Sequence, residues 1–340
     1  MKKTAVVGIS GGVDSAVCAA LLIEQGFSVT GVFLDVGGSP ERAEEVCNTL
    51  GIPLVIAKAR AKLEQLVISP FIQSYLKCET PNPCVICNPM VKYPILSEAA
   101  DRLNAEYIAT GHYAGVIERD GVYYLRKGHP ERDQSYMLYR LSQPILSRCL
   151  YPIGDMSKCA VRAKAAELGL AAADAPDSME ICFIPDDDYA AFIRSRAGSM
   201  HGGDIVDVNG NVLGQHKGLF NYTVGQRRGL GVSSSGRLFV IALDLDKNQV
   251  VLGEEKLLYK DKIQLRDIIG HVEENEIIDV KVRHSNIAYK ATVAGDTVRF
   301  AEGVKVTPGQ SAVFYGNYPG TARHPSEEGN NIVLGGGIIC

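Results

Sequence analysis

The sequence lacks any apolar run near the length of a membrane span. A helix that crosses a bilayer needs roughly 20 consecutive apolar residues, and polar residues interrupt every hydrophobic stretch of this 340-residue chain well before that. The opening residues, MKKTAVVGISGG, reach glycine before any stretch could resemble a signal peptide. We therefore expect a cytoplasmic protein with no membrane partner.

An excess of basic charge is also missing. The net charge is −4 at pH 7, which argues weakly against a nucleic-acid partner. Any contact with RNA must then come from a local basic patch. The most basic stretch lies in the middle of the chain and contains Lys217, Arg227, Arg228 and Arg237.

The sequence also lacks the features expected of a protein with structural disulfides. Nine cysteines are an odd number in a chain without a secretion signal, so chemistry or metal binding better explains any that cluster. Cys84 and Cys87 lie in TPNPCVICN, which is typical of a proline-interrupted loop ahead of a helix, and Cys182 lies in DSMEICFI. A thiolate beside a helix N-terminus becomes a better nucleophile.

Strands and helices alternate over the first part of the chain. Apolar runs at 4–9, 28–34, 53–57 and 105–110 are separated or followed by helical patterns at 40–50, 61–75, 93–103 and 157–168, the last with Gly169 as its C-cap. This alternation predicts an α/β domain with a doubly wound parallel sheet over residues 1–197.

The sequence pattern changes after residue 198, where glycine becomes frequent and the predicted strands become short. We predict a small β-rich domain over residues 198–260, with a hairpin turn at 208–211, and a β-barrel-like domain over residues 261–340.

A glycine loop stands where the first strand ends and a helix begins. It comprises Gly8, Ile9, Ser10, Gly11, Gly12, Val13, Asp14 and Ser15. It has neither the terminal Gly-Lys of a Walker loop nor a GxGxxG turn, but its backbone N–H groups and the helix N-terminus suit a pyrophosphate. The alternative is an ordinary turn in which Asp14 or Ser15 caps the helix.

SGGVDS resembles the pyrophosphate loop of the adenylating ATP pyrophosphatase superfamily, whose fold is adenine nucleotide alpha hydrolase-like. Those enzymes cleave ATP between the α and β phosphates, and the loop alone leaves several synthases open. Further motifs resemble, in order and at similar spacing, the tRNA-specific 2-thiouridylases: TPNPCVICN, TGHYA, RDQSYML, DSMEICFI, GQHKGLFNYTVGQRRGLGV and TPGQSAVFY. The resemblance covers essentially the whole chain.

The resemblance implies an enzyme that uses ATP with Mg²⁺ to adenylate O2 of the wobble uridine of tRNA and replaces that oxygen with sulfur. Cys182 would carry a persulfide, received from a sulfur-relay protein or a cysteine desulfurase, and Cys87 would be its nucleophilic partner. Turnover would end with a transient disulfide between Cys87 and Cys182, which a reductant must open.

Cys84 departs from the family pattern, because many members carry an acidic residue there. As a general base, a thiol with a reference pKa of about 8.5 is less suited to neutral pH than a carboxylate. Alternatively, Cys84, Cys87 and Cys182 hold a four-iron four-sulfur cluster whose open iron binds hydrosulfide. Zinc is a weaker alternative, since structural zinc prefers four ligands. A second departure is the short segment 35–40, where the family commonly has a longer insertion.

The resemblance also implies the contacts with substrates. ATP would be bound by the loop 8–15 together with Leu34 and Gly111, which follows a strand end. The target base must leave its stack to be reached. The residues expected to contact tRNA are Asn82, Pro83, Cys84, His112, Arg132, Asp133, Gln134, Arg283, His284 and Gln310.

Two other functions stay open at this point. Another adenylating enzyme, acting on a free nucleoside or a different tRNA position, would not need the Arg132 loop or the long C-terminal β region. A non-catalytic iron–sulfur or sulfur-carrier scaffold would not need the intact loop 8–15.

Overall fold

The structure is a computed structural model that describes residues 2–171, 181–184, 188–198, 201–233, 236–317 and 331–340. The chain forms two compact units. The first comprises Met1–Val67, Cys84–Phe183 and Gly316–Val333, and the second comprises Ile68–Pro83, Ile184–Tyr315 and Leu334–Cys340. The predicted division at residues 197 and 260 stays a prediction. Within the described ranges, no helix combines the length and the apolar character needed to cross a bilayer.

The first unit is built on a parallel sheet. Its strands are β1 (Thr4–Gly8), β2 (Ser28–Asp35), β3 (Leu54–Lys58), β4 (Tyr107–Ala109), β5 (Ala114–Arg119), β6 (Val122–Lys127) and β7 (Cys149–Leu150). Five of them form a parallel sheet in the order β3-β2-β1-β4-β7. β5 and β6 form an antiparallel hairpin.

Every helical stretch predicted from the 3.6-residue pattern contains a helix. The helices are α1 (Val13–Glu24), α2 (Glu41–Leu50), α3 (Arg60–Leu63), α4 (Ser69–Leu76), α5 (Pro83–Cys87), α6 (Tyr93–Arg102), α7 (Gln143–Leu146), α8 (Lys158–Glu167) and α9 (Tyr189–Ala197), with π-helical turns at Glu64–Ile68 and Asn88–Lys92. Of these, α5, α7 and α9 are additional to the predicted helices. The Ser157 side chain caps α8, and Gly169 beyond its end has φ +64°.

Alternate residues of β1 bury opposite faces of the sheet. Ala5 and Val7 belong to one core cluster, which also contains side chains from α1, α2 and α8. Val6 belongs to a second cluster, which contains the buried side of α6. Helices therefore cover both faces, which confirms the predicted doubly wound sheet.

β1 lies between β2 and β4, so the direction of the strand order reverses beside it. In open parallel sheets, ligands bind outside the carboxyl ends of the strands at this point. Both the glycine loop, which follows β1, and Gly111, which follows β4, lie at this edge.

The second unit contains a small sheet and a barrel. The strands are β8 (Gly203–Asp207), β9 (Val212–His216), β10 (Phe239–Asp244), β11 (Gln249–Gly253), β12 (Tyr259–Gly270), β13 (Ile278–Lys281), β14 (Tyr289–Ala294), β15 (Thr297–Lys305), β16 (Ser311–Gly316) and β17 (Ile332–Ile339). The sheet has the order β10-β11-β8-β9, and the predicted hairpin joins β8 to β9. Pairing of β12 with β17 closes a barrel of strands β12 to β17, as predicted.

The hairpin of β5 and β6 is absent from the sequence-based assignment. Its turn contains Asp120 and Gly121, both at positive φ, and such an Asp-Gly pair is a strong hairpin signal. This signal was available from the sequence.

Candidate active site

The glycine loop leaves the first turn of α1 open. Gly12 is the N-cap and provides no side-chain cap, so the first N–H groups and the positive end of the helix dipole face the loop. The Ser15 hydroxyl donates to the Gly12 carbonyl (2.9 Å) and accepts from the Ser10 N–H (3.2 Å). Gly11, at φ +83°, has a conformation that favours glycine. This geometry suits a pyrophosphate.

Gly111 packs directly against this loop. A Cβ at Gly111 would lie 2.6 Å from the carbonyl carbon of Asp14 and 2.7 Å from the nitrogen of Ser15, so only glycine fits. Leu34, half-buried near the end of β2, packs against the core that contains α6. The structure therefore brings Gly111 to the predicted phosphate loop and places Leu34 on the neighbouring strand.

The Asp14 carboxylate is held from two sides. The Tyr113 hydroxyl donates to its Oδ1 at 2.7 Å, and the Lys158 ammonium donates to Oδ1 at 2.8 Å and to Oδ2 at 2.9 Å. Tyr113 is buried, and the Lys158 side chain is only 12% exposed. Lys158 of α8 therefore places a cation beside the Asp14 carboxylate, in the first turn of α1.

Cys84 and Cys87 lie on a helix, which corrects the predicted loop. α5 begins at Pro83, and the π-helical turn Asn88–Lys92 continues it into α6. A proline at the first helical position has a suitable φ, and its missing N–H removes no helical hydrogen bond. The proline that suggested an interruption therefore begins the helix.

Lys92 lies close to all three predicted thiols. Burial raises the pKa of Cys87 to about 11 and also raises the pKa values of Cys84 and Cys182. The Lys92 ammonium opposes each of these pKa shifts. Because a protonated thiol cannot accept a proton, the raised pKa counts against Cys84 as a general base.

The three thiols also act on one another. Cys182 raises the pKa values of Cys84 and Cys87, and Cys84 raises that of Cys87. Cys182 is exposed as a residue although its thiol is largely desolvated, Cys84 and Cys87 are half-buried, and none of the three forms a disulfide. No three His, Cys, Asp or Glu side chains of the described residues are grouped so that they could hold a metal ion.

His112 lies in a network of buried hydroxyls. Its Nδ1 is 2.8 Å from the Thr110 hydroxyl and 3.4 Å from the Tyr93 hydroxyl, which also bonds Tyr151 at 2.8 Å. Burial, and then the charge of Lys92, hold the pKa of His112 well below its usual range. At neutral pH this imidazole is uncharged, so a contact with tRNA would be a hydrogen bond rather than an ion pair.

Models of protein families match the chain along nearly its whole length. The model described as "tRNA methyl transferase HUP domain" matches residues 3–186. "tRNA methyl transferase PRC-barrel domain" matches residues 190–254, and "Aminomethyltransferase beta-barrel domain" matches residues 255–339.

Curated relatives are similar in sequence to this chain over nearly their full lengths. The tRNA-specific 2-thiouridylase MnmA 1 of Clostridium tetani is 40% identical over 364 residues, covering 100% of this chain and 97% of its own. The tRNA-specific 2-thiouridylase MnmA of Syntrophotalea carbinolica is 42% identical over 360 residues, with 99% of each chain covered. The chain belongs to the tRNA-specific 2-thiouridylase family. The family models carry a methyltransferase description, whereas these relatives are named for thiolation.

Solved structures are much less similar than these members of the thiouridylase family. The U34-tRNA thiolase NcsA from Methanococcus maripaludis, determined with its [4Fe-4S] cluster, is 18% identical and has a TM-score of 0.35. The match covers 53% of this chain and 60% of that chain, and at this score it carries no argument about the site.

The predicted tRNA loop exposes only its first residue. Arg132 is exposed, but Asp133 is buried and Gln134 is half-buried. Oδ1 of Asp133 accepts from the N–H groups of Gly128 (3.1 Å) and Ser135 (3.0 Å). The loop conformation thus depends on Asp133, while Arg132 is the member best placed to reach a ligand.

In the second unit, Gln310 fixes the segment that leads to Asn82. Its side chain donates to the Thr80 carbonyl at 2.6 Å. Asn82 is half-buried and Pro83 is buried, whereas the barrel residues Arg283 and His284 are exposed. The basic residues of the middle stretch are also exposed: Lys217, Arg227, Arg228 and Arg237.

Three residues of this site were not predicted from the sequence: Lys92, Tyr113 and Lys158. Tyr113 and Lys158 are 99 and 144 residues from Asp14 in the chain, so no local pattern connects them to the loop. Lys92 follows Cys87 closely, and a helical reading of 83–92 would have placed it near the thiols.

Proposed function

We propose that this protein is a tRNA-uridine 2-sulfurtransferase. It adenylates O2 of the wobble uridine with ATP and replaces that oxygen with sulfur, giving 2-thiouridine, AMP and pyrophosphate. The observation that carries the proposal is that Lys92 acts electrostatically on Cys84, Cys87 and Cys182 alike, in the unit that also contains the phosphate loop.

Activation of the uridine comes first. The O2 atom attacks the α-phosphorus of ATP, the bond between the α and β phosphates breaks, and pyrophosphate leaves. The loop 8–15 binds the departing pyrophosphate through its N–H groups and the helix dipole. Mg²⁺ would enter with ATP and share the phosphate charge. The carbonyl oxygen, a poor leaving group by itself, has then become part of AMP.

Sulfur transfer follows on the thiols. The terminal sulfur of a Cys182 persulfide attacks C2, and AMP leaves with the original oxygen. The Cys87 thiolate then attacks the sulfur of Cys182, which breaks the persulfide bond and frees the thiolated base. A disulfide between Cys87 and Cys182 takes up the oxidation level of the donated sulfur, and a dithiol reductant must restore both thiols.

Lys92 supports the thiolate at each stage. Its ammonium lowers the pKa of each thiol, so it increases the fraction of nucleophile available near neutral pH. A sulfur-relay protein or a cysteine desulfurase would load Cys182, whose residue is exposed.

The alternative sulfur source is hydrosulfide on a four-iron four-sulfur cluster. Thiolates of Cys84, Cys87 and Cys182 have the right chemistry for such a cluster. In the present arrangement they are not grouped as a metal centre among the described residues, so the steps above pass through the thiols alone.

We propose that tRNA contacts both units. Arg132 would meet the anticodon region, with His112 as a neutral hydrogen-bonding partner and Asn82 near the target base. On the barrel, Arg283 and His284 are exposed, and Lys217, Arg227, Arg228 and Arg237 add exposed basic side chains with which an overall acidic chain could bind RNA phosphates.

The test compares Cys87→Ser and Cys182→Ser with a control variant, Cys159→Ser, an exposed cysteine on α8. Both site variants should abolish 2-thiouridine formation while tRNA affinity stays within about twofold, because the hydroxyl is similar in size but a much weaker nucleophile. The control should retain full activity. Thiolation by either site variant would remove that residue from the chemistry.

Two further measurements separate the alternatives. Iron and acid-labile sulfide, measured on protein purified without oxygen, distinguish the cluster from the persulfide: iron-bearing protein active on sulfide favours the cluster. Absence of AMP formation from ATP in the presence of tRNA would favour a non-catalytic scaffold instead.

A further inference from the structure

Tyr113 connects two parts of the proposed site. Its ring is buried, and its hydroxyl donates to Oδ1 of Asp14 in the phosphate loop at 2.7 Å. Lys158 binds the same carboxylate from α8. A buried tyrosine with a charge-assisted hydrogen bond at its end has little freedom to change rotamer.

The backbone of Tyr113 is fixed by the predicted tRNA loop. Its N–H donates to Oε1 of Gln134 at 3.0 Å, and its carbonyl accepts from the N–H of Gln134 at 2.8 Å. Gly128 also lies against Tyr113, because a Cβ at Gly128 would be 2.4 Å from the Tyr113 carbonyl carbon and oxygen. Two hydrogen bonds thus join Gln134 to the backbone of Tyr113, so a displacement of one residue would disturb the other.

The frame around this pair is rigid on the loop side. Asp133, next to Gln134, is buried and binds backbone N–H groups on both sides of the loop, at Gly128 and Ser135. A displacement of the exposed residue Arg132 would then reach Gln134 through a backbone that these two hydrogen bonds hold in place. A close-packed interior transmits such displacements.

We propose that Tyr113 is a positioning residue that couples occupancy of the tRNA loop to the phosphate loop. Binding of tRNA at Arg132 fixes Gln134, Gln134 fixes Tyr113, and Tyr113 fixes the carboxylate of Asp14 where ATP binds. Each substrate thereby raises the affinity for the other. The inference rests on the proposed function, since it takes the two ligands to be ATP and tRNA.

The experiment measures binding of an ATP analogue with a methylene group between its α and β phosphates, with and without tRNA. In the wild-type protein tRNA should tighten analogue binding by about 5- to 150-fold, the usual range of coupling between sites. The analogue must tighten tRNA binding by the same factor. In Tyr113→Phe this ratio should fall toward one.

Tyr107→Phe is the matched control. Tyr107 is half-buried on β4, and its ring packs against Phe27. The variant therefore removes a hydroxyl from the same unit that takes no part in the hydrogen bonds joining Gln134, Tyr113 and Asp14. It should keep the wild-type ratio. A second variant, Gln134→Met, removes the side-chain acceptor at the other end of the connection and should also lower the ratio.

Three results would overturn the inference in distinguishable ways. A full ratio in both Tyr113→Phe and Gln134→Met shows that the coupling takes another route. A wild-type ratio of one, with both ligands binding, shows that no coupling exists but leaves the proposed function intact. Failure of the wild-type protein to bind tRNA at all defeats the proposed function as well.

Discussion

Replacing Lys158 by alanine removes the cation from the phosphate loop. The Lys158 ammonium makes hydrogen bonds of 2.8 and 2.9 Å to the two oxygens of Asp14, with side-chain exposures of 12% and 31%. A fully buried pair costs about 3–5 kcal/mol to break and an exposed one about 1 kcal/mol or less. We expect this half-sheltered pair to cost about 2 kcal/mol in unfolding free energy.

The same change should weaken binding of ATP. Without Lys158, the Asp14 carboxylate presents an unneutralised charge to the polyphosphate. Two unit charges about 6 Å apart, at an effective dielectric constant near 20, repel by about 3 kcal/mol. Solvent and Mg²⁺ reduce this figure, and we expect ATP affinity to fall by about tenfold, which corresponds to 1.4 kcal/mol.

Lys164→Ala is the matched control for both effects. Lys164 lies on the same helix and also pairs with a carboxylate of α1, Glu24, but at the opposite end of that helix from the loop. Equilibrium titration with the uncleavable ATP analogue and urea unfolding should be run on both variants. ATP affinity in Lys158→Ala equal to that in Lys164→Ala would refute the electrostatic argument.

Three further outcomes are expected from the geometry. Gly111→Ala should reduce ATP binding more than tenfold, as measured by the same titration, because its Cβ would lie 2.6 Å from the backbone of Asp14. Asp133→Ala should lower the unfolding free energy by about 2–4 kcal/mol, because the part-buried N–H of Gly128 and the buried N–H of Ser135 lose their acceptor. Asp133→Asn, which keeps an acceptor, should cost far less in urea unfolding. Single-turnover thiolation should accelerate as pH rises from 7 to 9, because the thiolate of Cys87, whose pKa is about 11, becomes more populated; Lys92→Met should be slower at each pH, and a flat profile would contradict the assignment.

The sequence predicts best where a pattern is local. The run TAVVG followed by SGGVDS and an apolar helix fixes β1, its loop and α1, because alternation and turn chemistry act over a few residues. The closed barrel of the second unit was predicted from strand spacing and glycine turns. The hairpin at Asp120 and Gly121 was equally local, and the apolar alternation around it is too short to stand out within an α/β region.

Contacts between distant residues could not be predicted in this way. The hydrogen bonds of Tyr113 and Lys158 to Asp14 join residues that are 99 and 144 positions apart in the chain. Only the order of the strands in the sheet brings these residues together. Among the expected RNA contacts, the sequence also failed to predict which side chains are buried. A polar triplet such as Arg132, Asp133 and Gln134 looks exposed in sequence, yet the need to satisfy buried backbone N–H groups turns Asp133 inward.

The three thiols of the site share one cation, and this limits how they react. Each charged thiol makes ionisation of its neighbour harder, since Cys182 raises the pKa values of both other cysteines, while Lys92 offsets a single negative charge. Such a group loses its protons in separate steps that belong to the cluster as a whole. Burial holds the pKa of each of the three thiols above its ordinary value, so at neutral pH each is mainly protonated and two thiolates at once are strongly disfavoured. A thiolate on Cys87 and a charged sulfur on Cys182 therefore compete for the single Lys92 ammonium, which favours reaction of one sulfur at a time.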